Sequence, residues 1–197
     1  GRSYLWQNEY RVGGQLFTAA LERREGKLEN SSTTPVTTDR SQNGLALGYG
    51  LSSGEHALHL NARHDDDSEF GAQDNGSVAY AYAFAPNWRA TASAGTSFRA
   101  PTLYQRFSDY GQAGLQPERS RNLELGLRYA QGSRNFSAVL YQNRISDLIT
   151  FGSAGACVSS YGCYENTKRA MLEGLTLSGA EKFGAFNLRA SLDLQNP

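Results

Sequence analysis

The feature that most constrains this chain is period-two alternation, repeated along almost its whole length. Residues 78, 80, 82 and 84 are Val, Tyr, Tyr and Phe, and the residues between them are small or polar. Residues 123, 125, 127 and 129 are Leu, Leu, Leu and Tyr, interleaved with Asn122, Glu124, Gly126 and Arg128. The pattern returns at Phe186, Leu188, Ala190, Leu192 and Leu194, interleaved with Asn187, Arg189, Ser191, Asp193 and Gln195. Successive side chains of a strand point to opposite faces, so each segment has one apolar and one polar face. No segment carries a convincing helical repeat, and no apolar run is long enough for a transmembrane helix.

This pattern predicts about ten strands, over 3–12, 15–26, 39–51, 56–65, 76–85, 88–98, 120–130, 134–150, 164–181 and 185–195. Most reach the roughly 9–11 residues a membrane-crossing strand needs. The connections alternate in length. Tight turns fall at 13–14, 52–55, 86–87, 131–133 and 182–184; long loops are expected at 27–38, 66–75, 99–119 and 151–163. In an antiparallel up-and-down meander, that alternation gathers the short turns at one end and the loops at the other, as in outer-membrane barrels. A water-soluble sandwich predicts shorter strands and mixed loop lengths. It also leaves unexplained the rings near strand ends on the apolar side: Tyr4, Trp6, Tyr10, Tyr49, Phe84, Trp88 and Tyr129.

Charge narrows the function. There are 19 basic and 19 acidic side chains, a balance that gives no support to nucleic-acid binding. His56 and His64 share a strand face while His59 points the other way, so they cannot converge on a metal. The reading of an outer-membrane barrel enzyme needs a nucleophile with a base and an orienting group, and no convergent Ser-His-acid set is visible. A passive porin shares the strand pattern. Neither end reads as a natural terminus, so the expectation is that 1–197 is a middle section of a longer barrel.

Arg-Ala-Pro and Pro-Glu-x-Ser flank the longest loop. Pro101 has no N–H to donate and ends ladder pairing; Pro117 stiffens the chain before the next strand. Ser97-Phe98-Arg99-Ala100-Pro101, followed by Leu115, Pro117, Glu118, Ser120 and Glu124, closely resembles a signature of TonB-dependent outer-membrane transporters. The stretches "YQNRISDLITF" (141–151) and "YENTKRAMLEGLTLSGAEKFG" (164–184) resemble two further strands of that family, although Leu175-Thr176 departs from its usual pattern. The likeness is specific over 88–197 and most similar to the vitamin B12 (cobalamin) branch; siderophore receptors share the signature.

The resemblance implies a barrel of about 22 strands around an N-terminal plug. It implies residence in a Gram-negative outer membrane, contact with lipid, and energy delivered by TonB to the plug. Cobalamin or a ferric siderophore would be the ligand, with no catalysis and no resident cofactor. Ligand contacts are expected from the loop residues Tyr104, Gln105, Arg106, Phe107 and Tyr110, with Gln112 beside them. Asp65, Asp66 and Asp67, with Glu69 and Asp74, make an acidic loop; the cobalamin branch binds calcium in such loops, and the alternative is a solvated surface. Cys157 and Cys163 sit in one loop and, outside the cytoplasm, are expected to close it as a disulfide.

Overall fold

The computed structural model describes residues 1–31, 36–153 and 159–196. Ten strands form one antiparallel sheet in strict sequence order. They are β1 (Arg2–Val12), β2 (Gln15–Glu29), β3 (Thr37–Ser53), β4 (His56–Asp67), β5 (Gly71–Ala85), β6 (Trp88–Arg99), β7 (Glu118–Gln131), β8 (Arg134–Gly152), β9 (Cys163–Phe183) and β10 (Phe186–Asn196). A short helix, α1 (Leu103–Phe107), interrupts the loop between β6 and β7.

Register turns the alternation into two continuous faces. Phe17, Tyr49, Leu60, Val78, Ala94 and Leu123 stand opposite one another from β2 to β7. The next such row runs Leu58, Tyr80, Ala92, Leu125, Leu140, Leu175 and Leu194. On the other face lie Thr18, Gly48, Asn61, Ser77, Gly95, Asn122 and Asn143. The 100–117 loop folds over this second face, which is therefore the inner one.

The outer apolar rows are not packed on protein. Tyr80 keeps 42% of its surface exposed, Leu125 52% and Leu188 63%. Among the described residues, the buried hydrophobic side chains are instead Leu103 and Leu115 of the 100–117 loop, with Ile149 and Cys163 on the strands beside it. An apolar surface this continuous is not left in water by a soluble protein; lipid is the solvent that suits it.

All five short connections are two-residue turns at one end of the sheet. Each contains a left-handed residue: Gly13, Gly54, Asn87, Gly132 or Gly184. That conformation matches the twist of two-residue hairpins and favours glycine or asparagine. A bulge between Tyr82 and Ala85 shifts the β5–β6 register, and pairing of these two strands stops at Ser77–Gly95.

Two loop expectations are corrected. Residues 66–75 do not form a long loop: pairing runs to Asp67–Gly71, leaving only 68–70 as the turn. Likewise β2 and β3 pair out to Glu29–Thr37. These strand ends rise past the apolar rows, where both faces meet polar surroundings, so the alternation that marks a strand fades before the pairing does. The longest loop also carries a helix that the alternation did not announce. Its Thr102 cap takes the Gln105 N–H at 3.1 Å, and Gln105 Oε1 accepts the Thr102 N–H at 2.9 Å.

Candidate ligand-capture rim

Loop 100–117 is held down at three places. The first is at its start. Arg40 Nη1 donates to the Pro101 carbonyl at 2.5 Å, and Arg40 Nε lies 3.5 Å from Asp67 Oδ2. Asp67 is fully buried, and its Oδ1 accepts the Glu69 and Phe70 N–H groups at 2.9 and 3.2 Å. Leu103 packs over Gly26, where a methyl would lie 3.6 Å from Leu103 Cδ1.

Arg106 is the second. Its Nη1 meets Glu69 Oε2 at 2.6 Å, and Nε and Nη2 donate to the Ala113 carbonyl at 3.0 and 2.7 Å. The guanidinium also lies 5.1 Å from the Phe70 ring centroid and 4.8 Å from that of Phe107. The third is at the loop's exit. Arg99 donates through Nε and Nη2 to the two oxygens of Glu118, each at 2.5 Å, and the Ile149 N–H adds a bond to Oε1 at 2.8 Å. One carboxylate thus joins β6, β7 and β8. Burial raises the pKa of Glu118, but the Arg99 and Ile149 donors outweigh it, so the carboxyl lies below its ordinary value; Arg99 is raised in turn by its bond to Glu118.

Asn166 on β9 completes this closure. Its Oδ1 accepts the Gln116 N–H at 2.8 Å, and its Nδ2 donates to the carbonyls of Gln116 at 2.9 Å and Asp147 at 2.7 Å. Asp147 holds a left-handed backbone with φ of 56°. The residues of the Arg-Ala-Pro, Pro-Glu-x-Ser and Tyr-x-Asn stretches are therefore the fastenings of the loop, and Ser97 and Ser120 add a hydroxyl pair at 2.7 Å.

Above these fastenings stands an aromatic group on the inner face. Tyr104 meets Tyr164 at 6.4 Å between centroids, Tyr164 meets Phe151 at 5.3 Å, and Phe151 meets Tyr110 at 5.9 Å, all near edge-on. Tyr104 and Phe151 keep about half of their surface exposed, at 50% and 52%. Of the loop residues expected to touch ligand, Tyr104 and Tyr110 belong to this group. Gln105 and Arg106 are turned back into the loop's own bonding, and Phe107 lies against the Arg106 guanidinium. Gln112 Nε2 donates to Cys163 Sγ at 3.2 Å. Pattern reading missed Phe151 and Tyr164, which only the β8–β9 register brings under the loop.

The aspartate triplet does not form one cluster. Asp65 and Asp67 point inward and Asp66 outward, as adjacent strand residues must. Asp65 is bound by Arg63 through Nε at 2.8 Å and Nη2 at 2.6 Å. Asp74 reaches His64 at 2.7 Å on the outer face. Among the described residues, no three His, Cys, Asp or Glu side chains stand together as a metal site. Cys163 is disulfide-bonded and buried; Cys157 lies outside the described residues.

Comparison with known proteins gives a consistent picture. A family model described as TonB dependent receptor-like, beta-barrel, matches residues 3–195. The vitamin B12 transporter BtuB of Vibrio cholerae is 29% identical over 154 residues, covering 77% of this chain and 25% of that protein. BtuB of Photobacterium profundum is 26% identical over 191 residues, covering 95% of this chain and 32% of its own length. The chain thus spans between a quarter and a third of these relatives. Among solved structures, the siderophore receptor PirA of Pseudomonas aeruginosa superposes with a TM-score of 0.83 at 20% identity, over 99% of this chain and 40% of that one. The ferric enterobactin receptor PfeA of the same organism gives 0.84 at 18% identity, over 98% and 35%. The outward apolar rows, the single-ended short turns and a family match along almost the entire chain together place it in the TonB-dependent receptor-like β-barrel family.

Proposed function

We propose that this chain is a section of an outer-membrane receptor that captures a large, scarce nutrient of the cobalamin class at the rim formed by Tyr104, Tyr110, Phe151 and Tyr164. The plug and TonB would belong to the full-length protein, which works by binding and gating rather than by bond making. The observation that carries this reading is the exposed aromatic group on the inner face, built from two residues of the fastened loop and two of the strands beneath it. Half-exposed rings set edge-on suit a bulky, largely apolar ligand with polar edges.

The cations beside the rings favour cobalamin over an anionic ferric chelate. Arg40, Arg99 and Arg106, which fasten the loop, are each already bound to a carboxylate and so are not free to attract a multiply charged anion. The similarity to BtuB sequences supports the same choice; the structural likeness to PirA and PfeA concerns the fold.

The test is a titration of the full-length protein with cyanocobalamin and, separately, with a ferric catecholate chelate. Saturable cyanocobalamin binding is expected, weakened about tenfold or more by Tyr104→Ala combined with Phe151→Ala. Binding of the ferric chelate alone would transfer the protein to the siderophore class. Binding of neither would end the proposal.

A further inference from the structure

The apolar outer face changes character at its long-loop end. On β7 the outward series Tyr129, Leu127, Leu125, Leu123 continues as Arg121 and Arg119. Arg144 stands directly opposite Arg121 on β8, and Arg169 on β9 lies beyond Ser146 in the row of Arg119. All four arginines are exposed. Several arginines elsewhere meet carboxylates, as Arg63 does Asp65 and Arg134 does Glu181; Arg89 and Arg128, opposite one another on the inner face, do not. Among the described residues, Arg121, Arg144 and Arg169 have no side-chain hydrogen bond or ion pair, and Arg119 reaches only the Gln73 amide oxygen, at 2.9 Å.

The nearby acids do not neutralise them. Asp74 is engaged by His64 at 2.7 Å; Glu173 accepts from Gln142 and Asn196, each at 3.2 Å. Like charges directly opposite on neighbouring strands destabilise a sheet, so Arg121 and Arg144 are a cost to this fold unless something negative lies between them. The four side chains line one open groove of about 1020 Å³, with Phe98 and Met171 as apolar walls. It lies where β5 and β6 have stopped pairing, bridged by the Gly76 N–H bond to Thr96 Oγ1 at 3.1 Å.

We propose that this groove binds the phosphate groups of an anionic membrane lipid whose acyl chains lie along the outer rows of Leu123, Leu125 and Leu127. Arginine forks match phosphate oxygens in pairs, and arginines at a membrane surface attract anionic headgroups. A ligand that satisfies both the charge and the adjoining apolar rows has to be amphiphilic. This assignment rests on the sheet standing in a bilayer, as in the function proposed above, but not on the nutrient.

The test uses the full-length protein extracted in detergent and examined by native mass spectrometry after incubation with diphosphoryl lipid A. Retention of lipid A is expected, with phosphatidylcholine not retained. Arg121→Gln, Arg144→Gln and Arg169→Gln together should reduce retention about 10- to 100-fold, and Arg128→Gln on the inner face should leave it unchanged. Monophosphoryl lipid A on the unaltered protein should be retained several-fold less, a reading that needs no variant to fold. Equal retention by the triple variant, equal retention of the mono- and diphosphoryl forms, or full displacement by inorganic phosphate would overturn the proposal. Heat-modifiable gel migration reports barrel formation separately, so a failed membrane reading is distinguishable from a failed lipid site.

Discussion

Glu118 receives donors from two neighbouring strands while standing on a third, and nearly all of its side chain is out of water. Its folded pKa is depressed, so the stability it contributes is present above the ordinary value near 4.5 and is lost as pH falls through the lower folded value. Glu118→Gln should cost about 1–2 kcal/mol at neutral pH, a figure discounted because Arg99 is half exposed. The gap between variant and parent in denaturant unfolding should begin to narrow as pH falls past about 4.5 and close below the depressed folded value; a gap independent of pH would mean the carboxylate's charge is irrelevant. The sequence displayed Glu118 as part of a motif but concealed its purpose, because its partners Arg99 and Ile149 are 19 and 31 residues away. Arg106 and Gln105, whose side chains bond the loop and its neighbour Glu69, show a related limit. A polar side chain in a loop looks the same in sequence whether it faces a ligand or folds back onto its own backbone.

Hairpins were legible where one face is apolar and the other polar, which is why β6, β7 and β10 were delimited to within a few residues. The end of β2, expected at 26 and found at Glu29, and the start of β5, expected at 76 and found at Gly71, were not, since their polar tips read as loop. Register was invisible, and with it the meeting of Phe151 and Tyr164 beneath Tyr104. The loop between β6 and β7 behaves as an element in its own right, clasped chiefly through Arg106. Arg106→Ala removes the Glu69 ion pair, both bonds to Ala113 and the contacts with Phe70 and Phe107. Limited proteolysis of the full-length protein should then cut within 100–117 about tenfold faster, with no new sites among the strands. Unchanged cleavage would show that Arg40 and Glu118 hold the loop unaided.

For the molecule as a whole, the sidedness of the sheet was the most readable property, and it yields a direct contrast. Leu125 lies mid-belt on the outer face, and its neighbour Glu124 points inward. Leu125→Arg should destabilise the barrel by about 2–4 kcal/mol, whereas Glu124→Gln should stay within about 0.5 kcal/mol, both measured by urea unfolding in lipid vesicles. Comparable losses from the two changes would mean that the outer face is not bathed in lipid. The strictly sequential strand order has an evolutionary consequence. Because every strand touches only its chain neighbours, the unit that can be gained or lost is a pair. Deleting β4 with β5 returns the chain to the side it left, and every later loop keeps its address; deleting either alone would send each subsequent loop to the opposite side of the bilayer. Lineages built on this plan can change girth only in even steps.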